Sequence, residues 1–234
     1  MFRNLIFAAS CMAFCAVAIA DGVRAPVLVE LFTSEGCSSC PPADRHLEHL
    51  DADVVVLSEH VDYWDHQGWK DKFSSPIFTQ RQEAYAKEFG LDGPYTPQMV
   101  VDGVAQFTGG DVRRAFAEIG KAVNFPKADI YVERVGTGAR IDVEHAPREA
   151  DIWMALADDD VSSNVTAGEN KGHILRHVAV VRSLSKIGWI KRGGTFSRHV
   201  ALPDGSTGQR IVVFLQEAGQ ARVVGAALLL PNTH

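Results

Sequence analysis

Val27-Leu-Val-Glu-Leu-Phe-Thr-Ser-Glu-Gly-Cys37-Ser-Ser-Cys40-Pro-Pro42 is the stretch from which the fold is read. Val27 to Phe32 is a compact run of strand-forming residues, broken by Thr33-Ser34-Glu35-Gly36. Prolines are tolerated only in the first turn of a helix, where a missing N–H has no partner to lose. Pro41-Pro42 therefore place the start of a helix close to Cys40, with Cys37 just ahead of it. Unpaired N–H groups and the dipole at such a terminus stabilise a thiolate, lowering a cysteine pKa from ~8.5 to between ~3.5 and ~7.5. Cys37 is then the attacking sulfur and Cys40, further in, the one that resolves a mixed disulfide.

Val54 to Leu57 is a second buried strand, separated from the first by the helix through Leu47 and Leu50. Two strands joined by a helix indicate a parallel βαβ unit. After the polar-aromatic loop His60 to Trp69, Ser75 and Pro76 mark the start of a second helix. Ile77, Phe78, Tyr85 and Phe89 give it an apolar stripe and Gly90 stops it. Thr96 to Val101 is a third strand, and Asp102-Gly103 a tight turn into a fourth, Val104 to Phe107. Asp111 caps a last helix whose inner face is expected at Val112, Ala115, Phe116, Ile119 and Val123. The order is β-α-β-α-β-β-α.

Beyond Phe125-Pro126-Lys127 the pattern changes to short alternating runs: Ile130–Val135, Ile141–Glu144, Ile152–Leu156, His177–Val181, Ile211–Leu215 and Val223–Leu229. This predicts a mostly β, sandwich-like domain over residues 127–234, with a short helical piece near Ser183–Ile187. His173, Arg176 and His177 suggest a site in the second domain, although alternating polar residues on a half-exposed strand explain them as well.

The 234 residues carry 23 Lys and Arg against 29 Asp and Glu, a net charge of −6, which argues against nucleic acid or an anionic membrane surface as partner. Arg3, the apolar run Leu5–Ala20 and the small residues Ala18 and Ala20 read as a signal peptide, residues 1–20, cleaved after Ala20. A span needs roughly 20 apolar residues, so the run is short for an anchor, and no membrane span is expected after cleavage. Cleavage also removes Cys11 and Cys15, leaving a single pair, Cys37 and Cys40, in a periplasmic or secreted protein. Motifs for serine hydrolases, P-loops, dinucleotide sites and zinc proteases are lacking.

The β-α-β-α-β-β-α order, the C-x-x-C after the first strand and Thr96-Pro97 before the third resemble the thioredoxin fold. The resemblance covers residues 27–124, within a thioredoxin-like domain expected over 24–125, and implies a cis Pro97, with Thr96 presenting its backbone to a substrate peptide. It also implies a proton-exchanging acid in the first strand, the place held here by Glu30, which burial would bring into proton exchange with a nearby thiol. Glu30 to Asp44, His60-Val-Asp-Tyr-Trp64 and Tyr95 to Val101 further resemble a secreted bacterial domain-of-unknown-function family (DUF1223) with a thioredoxin-like fold. Gly168-Glu-Asn-Lys-Gly172, Val180-Val181-Arg182 and Gly225-Ala226-Ala227 carry that resemblance into the second half.

Three functions follow as expectations. In the first, the protein is a thiol–disulfide oxidoreductase for protein or small thiol and disulfide substrates, with no cofactor beyond the Cys37/Cys40 disulfide. Thr96, Pro97 and Trp64 then bind substrate, although the loop Tyr63–Trp69 reads equally as one packed over the sheet. In the second, Cys37, Cys40 and His60 hold Cu(I), with His46, His49 and His66 as weaker ligands. In the third, the disulfide is a staple in a non-catalytic binding or scaffold protein.

Overall fold

The computed structural model describes residues 25–231, and the side chains from Pro26 onward. The expected signal peptide, with Cys11 and Cys15, lies outside the described residues. The first half runs β1 (Ala25–Thr33), α1 (Pro41–Leu50), β2 (Val54–His60), α2 (Pro76–Glu88), β3 (Gln98–Val101), β4 (Ala105–Thr108) and α3 (Val112–Ala122), in the order expected. Strand β1 pairs parallel with β2 on one side and antiparallel with β3 on the other.

Side chains alternate across a strand, so β1 and β2 each feed two cores. Val27, Val29, Leu31, Val54 and Val56 pack against Ala43, Leu47 and Leu50 of α1. Leu28, Phe32, Val55 and Leu57 pack on the other side against Phe78 and Tyr85 of α2. Each such buried side chain contributes about 1.5–3 kcal/mol, which is why near-continuous apolar runs stay in a strand covered on both faces.

Helix α3 differs from expectation. Only Ala115 and Ala122 are buried, while Val112, Phe116 and Val123 are 44%, 56% and 46% exposed. The two alanines lie seven residues apart, hence on one meridian, and their small side chains let the helix sit close to the sheet. That choice rotates Val112, Phe116 and Val123 outward, while Ala115 and Ile119 face the core as expected.

The second half contains β5 (Asp129–Val135), β6 (Gly138–Glu144), β7 (Ala150–Asp158), β8 (Val161–Asn164), β9 (Ile174–His177), β10 (Val180–Ile190), β11 (Phe196–Ala201), β12 (Gln209–Gln216) and β13 (Val223–Leu229). The expected helical piece at 183–187 is strand β10. Val181, Leu184, Ile187 and Ile190 recur every third position because a register shift near each end inserts an extra residue, keeping Val181 and Leu184 in one core and Ile187 and Ile190 in the other, with a change of face between. A bulged strand thus imitates helical spacing.

The eight-stranded sheet has the order β13-β12-β7-β10-β2-β1-β3-β4, and a three-stranded sheet β11-β6-β5 lies over its distal end. Ile141 and Val143 of the small sheet meet Ile152, Met154, Ile211, Val213 and Leu215 of the large one. One layer of this sandwich-like part is therefore the same sheet that carries the first half. The join is parallel and short, Val180 opposite Ser58, with the Ser58 N–H donating to the Ala179 carbonyl at 2.9 Å. Strand β2 is buried along its whole length, so its second edge requires such a neighbour.

Two buried ion pairs pin the halves. Asp102 accepts from the Leu28 N–H at 2.9 Å and from the Lys127 ammonium, while its carbonyl accepts from the Val223 N–H. Arg210, 1% exposed on β12, donates twice to Asp51 at the end of α1, at 2.7 and 2.9 Å, and also to Asp159. Among the described residues no helix is long and apolar enough to cross a membrane.

Candidate functional site

Cys40 is the N-cap residue of α1, with Pro41 and Pro42 in the first turn as their chemistry requires. Its carbonyl accepts from the Ala43 and Asp44 N–H groups, and its own N–H donates to the Cys37 carbonyl at 3.2 Å. Cys37 and Cys40 form a disulfide with Cα atoms 5.4 Å apart. Both cysteines are fully buried, whereas Ser38 and Ser39 between them are exposed.

What covers them comes from three places. Trp64 lies against Gly36, where an added Cβ would come within 3.1 Å of the Trp64 Cβ, and its indole N–H donates to Thr96 Oγ1 at 2.8 Å. The Thr96–Pro97 peptide bond is cis, and the Pro97 carbonyl accepts from Gly109 at 3.0 Å. A Cβ on Gly109 would lie 2.9 Å from Ala43 of α1 and 3.3 Å from Pro97, so this glycine lets the proline loop close onto the cysteine helix. Cys37, Cys40, Trp64, Thr96 and Pro97 are thus brought into one neighbourhood. The aromatic loop braces the site: Trp69 donates to Glu35 Oε2 at 2.8 Å, and Tyr63 donates to Gln82 at 3.1 Å.

The third cover is the segment Gly168–Gly172 from the second half. Asn170 donates its amide to the carbonyls of Glu35 (2.8 Å) and Cys37 (3.0 Å). Glu169 accepts from the Ser38 N–H at 3.1 Å, and the Ser38 side chain first, with this N–H second, holds its carboxyl below the usual range. Gly168 packs on Trp69, where a Cβ would approach to 2.9 Å. Neither Glu169 nor Asn170 figures among the site residues expected from sequence; their signal was the Gly168–Gly172 motif, read only as a resemblance.

Glu30 does not join this group. It projects from β1 onto the α2 face, away from the cysteine helix, where Arg81 Nε donates to Oε1 and the Tyr85 hydroxyl to Oε2, both at 2.6 Å. Arg81 also bonds Gln216, and Gln216 bonds Tyr85. Glu59 completes this group, 3.5 Å from Arg81. Burial, reinforced by Glu30, pushes its carboxyl well above the ordinary value.

The acids beside the cysteines are instead Glu35 and Asp44, with His177, His60 and Asp71 behind them. His177 Nε2 lies 3.7 Å from Glu35 and Nδ1 3.7 Å from Asp44. The alternating, half-exposed strand expected here is β9, with Ile174 and Arg176 exposed and Leu175 and His177 buried; His177 is 2% exposed because β8–β9 folds back onto α1, while His173 faces solvent. Burial alone would lower the His177 pKa; the facing Asp44 and Glu35 outweigh it and lift it to about 9. Burial likewise pushes Glu35 up, but His177, Ser163 and Trp69 hold it below the ordinary value. Asp71 is held low against its burial by His60 and by the Glu35 and Phe73 N–H groups.

His60, the expected third copper ligand, is instead bonded through Nδ1 to Asp71 at 2.7 Å. His46 uses Nδ1 on the Gly109 carbonyl, His49 is on the Arg45 carbonyl, and His66 is exposed. Among the described residues no three His, Cys, Asp or Glu side chains converge as a metal site.

The chain belongs to a family described as a protein of unknown function (DUF1223), whose model matches residues 28–216. It is also similar to the crystal structure of protein AGR_C_4864 from Agrobacterium tumefaciens, at 31% identity and a TM-score of 0.75, over 91% of this chain and 97% of that one. No curated protein matches.

Proposed function

We propose that this chain is an exported thiol–disulfide exchange protein whose first half is thioredoxin-like and whose reactive group is Cys37–Cys40. The observation that carries the reading is the burial of Glu35, Asp44 and His177 around that disulfide. A four-residue loop constrains the unfolded chain little, so a staple there stabilises little. Burying three ionisable groups beside it is expensive, and such clusters concentrate at working sites. The element order, the placement of Cys40 at the start of α1 and the approach of Thr96–Pro97 support the thioredoxin-like assignment. The leader sequence supports a periplasmic or secreted location.

Cys37 attacks or is attacked, Cys40 resolves, and protein or small thiols and disulfides are the substrates. Trp64 and Thr96 form the wall on which a substrate would rest. Full burial of both sulfurs means that exchange requires the Gly168–Gly172 strap to lift, breaking the contacts of Asn170 and Glu169. The same burial favours a second reading, a structural disulfide in a binding protein. The reduction potential separates them: between about −120 and −270 mV is expected for an exchanger, and below about −300 mV for a staple. In the exchange reading Cys40→Ser accumulates mixed disulfides and Cys37→Ser does not.

A further inference from the structure

His177 stands between the two segments that carry the cysteines. Its Nε2 faces Glu35, two residues before Cys37, and its Nδ1 faces Asp44, four residues after Cys40, each at 3.7 Å. Neither ring nitrogen has a hydrogen-bond partner, and neither do Glu35 Oε1 or either Asp44 oxygen, although all are buried. The other groups facing the ring are His60, with ring centroids 4.7 Å apart, and Asp71 behind it. Phe73 closes the remaining side, with Lys72 and Arg182 stacked over its ring. A structural ion pair in such a place is normally locked by short hydrogen bonds. This one is left loose, with acceptor and donor atoms free to exchange a proton.

Helical side chains lean toward the N-terminus, so the Asp44 carboxyl lies over the turn that begins at Cys40. We propose that His177 supplies, through Asp44, the proton that the Cys40 sulfur takes up when the disulfide opens. This rests on the exchange reading above. A substrate thiolate attacks Cys37 Sγ and forms the mixed disulfide; the Sγ–Sγ bond breaks and its electron pair passes to Cys40 Sγ. Asp44, protonated from His177 Nδ1–H, hands the proton to that sulfur. The substrate sulfur is oxidised, Cys40 is reduced to a thiol, and His177 is left neutral beside an ionised Asp44. His177 is a positioning residue acting through Asp44, and its raised pKa keeps it loaded at neutral pH.

The test is the rate at which dithiothreitol opens the disulfide of the oxidised mature chain, measured from pH 6 to 10.5 at constant thiolate concentration. The wild-type rate is expected to be flat to about pH 9 and then to fall about tenfold per pH unit. His177→Gln and Asp44→Asn lose that limb and react at least about tenfold more slowly at pH 7, whereas the exposed control His173→Gln matches wild type. A wild-type rate that stays flat above pH 9, or a His177→Gln profile equal to wild type, overturns the proton role and leaves exchange standing. A wild-type disulfide that dithiothreitol does not open at any pH overturns the exchange reading itself. Should His177→Gln fail to fold, the wild-type profile decides alone.

Discussion

Two buried ionic groups lie on opposite faces of the β1–β2 pair, and they are built differently. On the α2 face, Glu30, Arg81, Tyr85 and Gln216 are joined by hydrogen bonds of 2.6–3.2 Å, leaving Glu59 as the one carboxyl without a bond. On the α1 face, His177 sits 3.7 Å from each of two carboxylates, and several polar atoms are unbonded. Similar burial with such different closure separates a group that locks a fold from one that stays ready to move a proton.

The sharpest way to break this contrast is Arg81→Met. It strands Glu30 and Glu59 together and is expected to lower stability by about 3–5 kcal/mol in urea unfolding, with the disulfide's reduction potential unchanged. A shift in potential would tie the α2 group to the chemistry after all. Next in size is the pH dependence of His177. Its folded pKa of about 9 lies above the ordinary 6.5, so its ion pairs stabilise the fold fully below about pH 6.5. That contribution, on the order of 3 kcal/mol, fades as pH rises through about 9 and is absent from His177→Gln. Glu35 and Asp71, held below ordinary carboxylates, add stability that is lost as pH falls through their lowered values.

Asn170→Ala removes two hydrogen bonds from the strap, each worth about 0.5–1.5 kcal/mol, and is expected to speed disulfide opening by dithiothreitol about tenfold. The smallest effect is expected at Glu59→Gln. Because the folded protein favours the protonated acid, stability in the wild type declines as pH climbs above about 4.5. The glutamine should be within about 1 kcal/mol of wild type near that pH and more stable at pH 8, as read from urea midpoints.

The first half was legible because its signals are local: apolar runs, Pro41-Pro42, Ser75-Pro76, Asp102-Gly103 and Gly90 each act within a few residues. The second half lost precision where tertiary context overrode pattern. Two bulges gave β10 a three-residue spacing, and even in the first half the alanine meridian of α3 turned Phe116 outward. Within the site, Cys37, Cys40, Thr96 and Pro97 carry their chemistry in their spacing. Glu30 was readable either as a buried acid or as a strand-end glutamate facing solvent, and strand period alone does not say which face holds the cysteine helix. His177, Glu169 and Asn170 reach the site from more than 120 residues away, a juxtaposition set by how β8–β9 folds back and not by any short motif.

The single pairing of Val180 with Ser58 has a consequence for anyone cutting the chain. A fragment ending at residue 125 would keep α1, α2, α3 and the cysteine pair, yet bare the outer edge of a strand made of Val54, Val55 and Val56. Such an edge recruits other chains. It would also leave the disulfide uncovered and Asp44 without its imidazole. Expressed alone, the first half should self-associate through β2, and its chemistry should no longer be that of the whole protein.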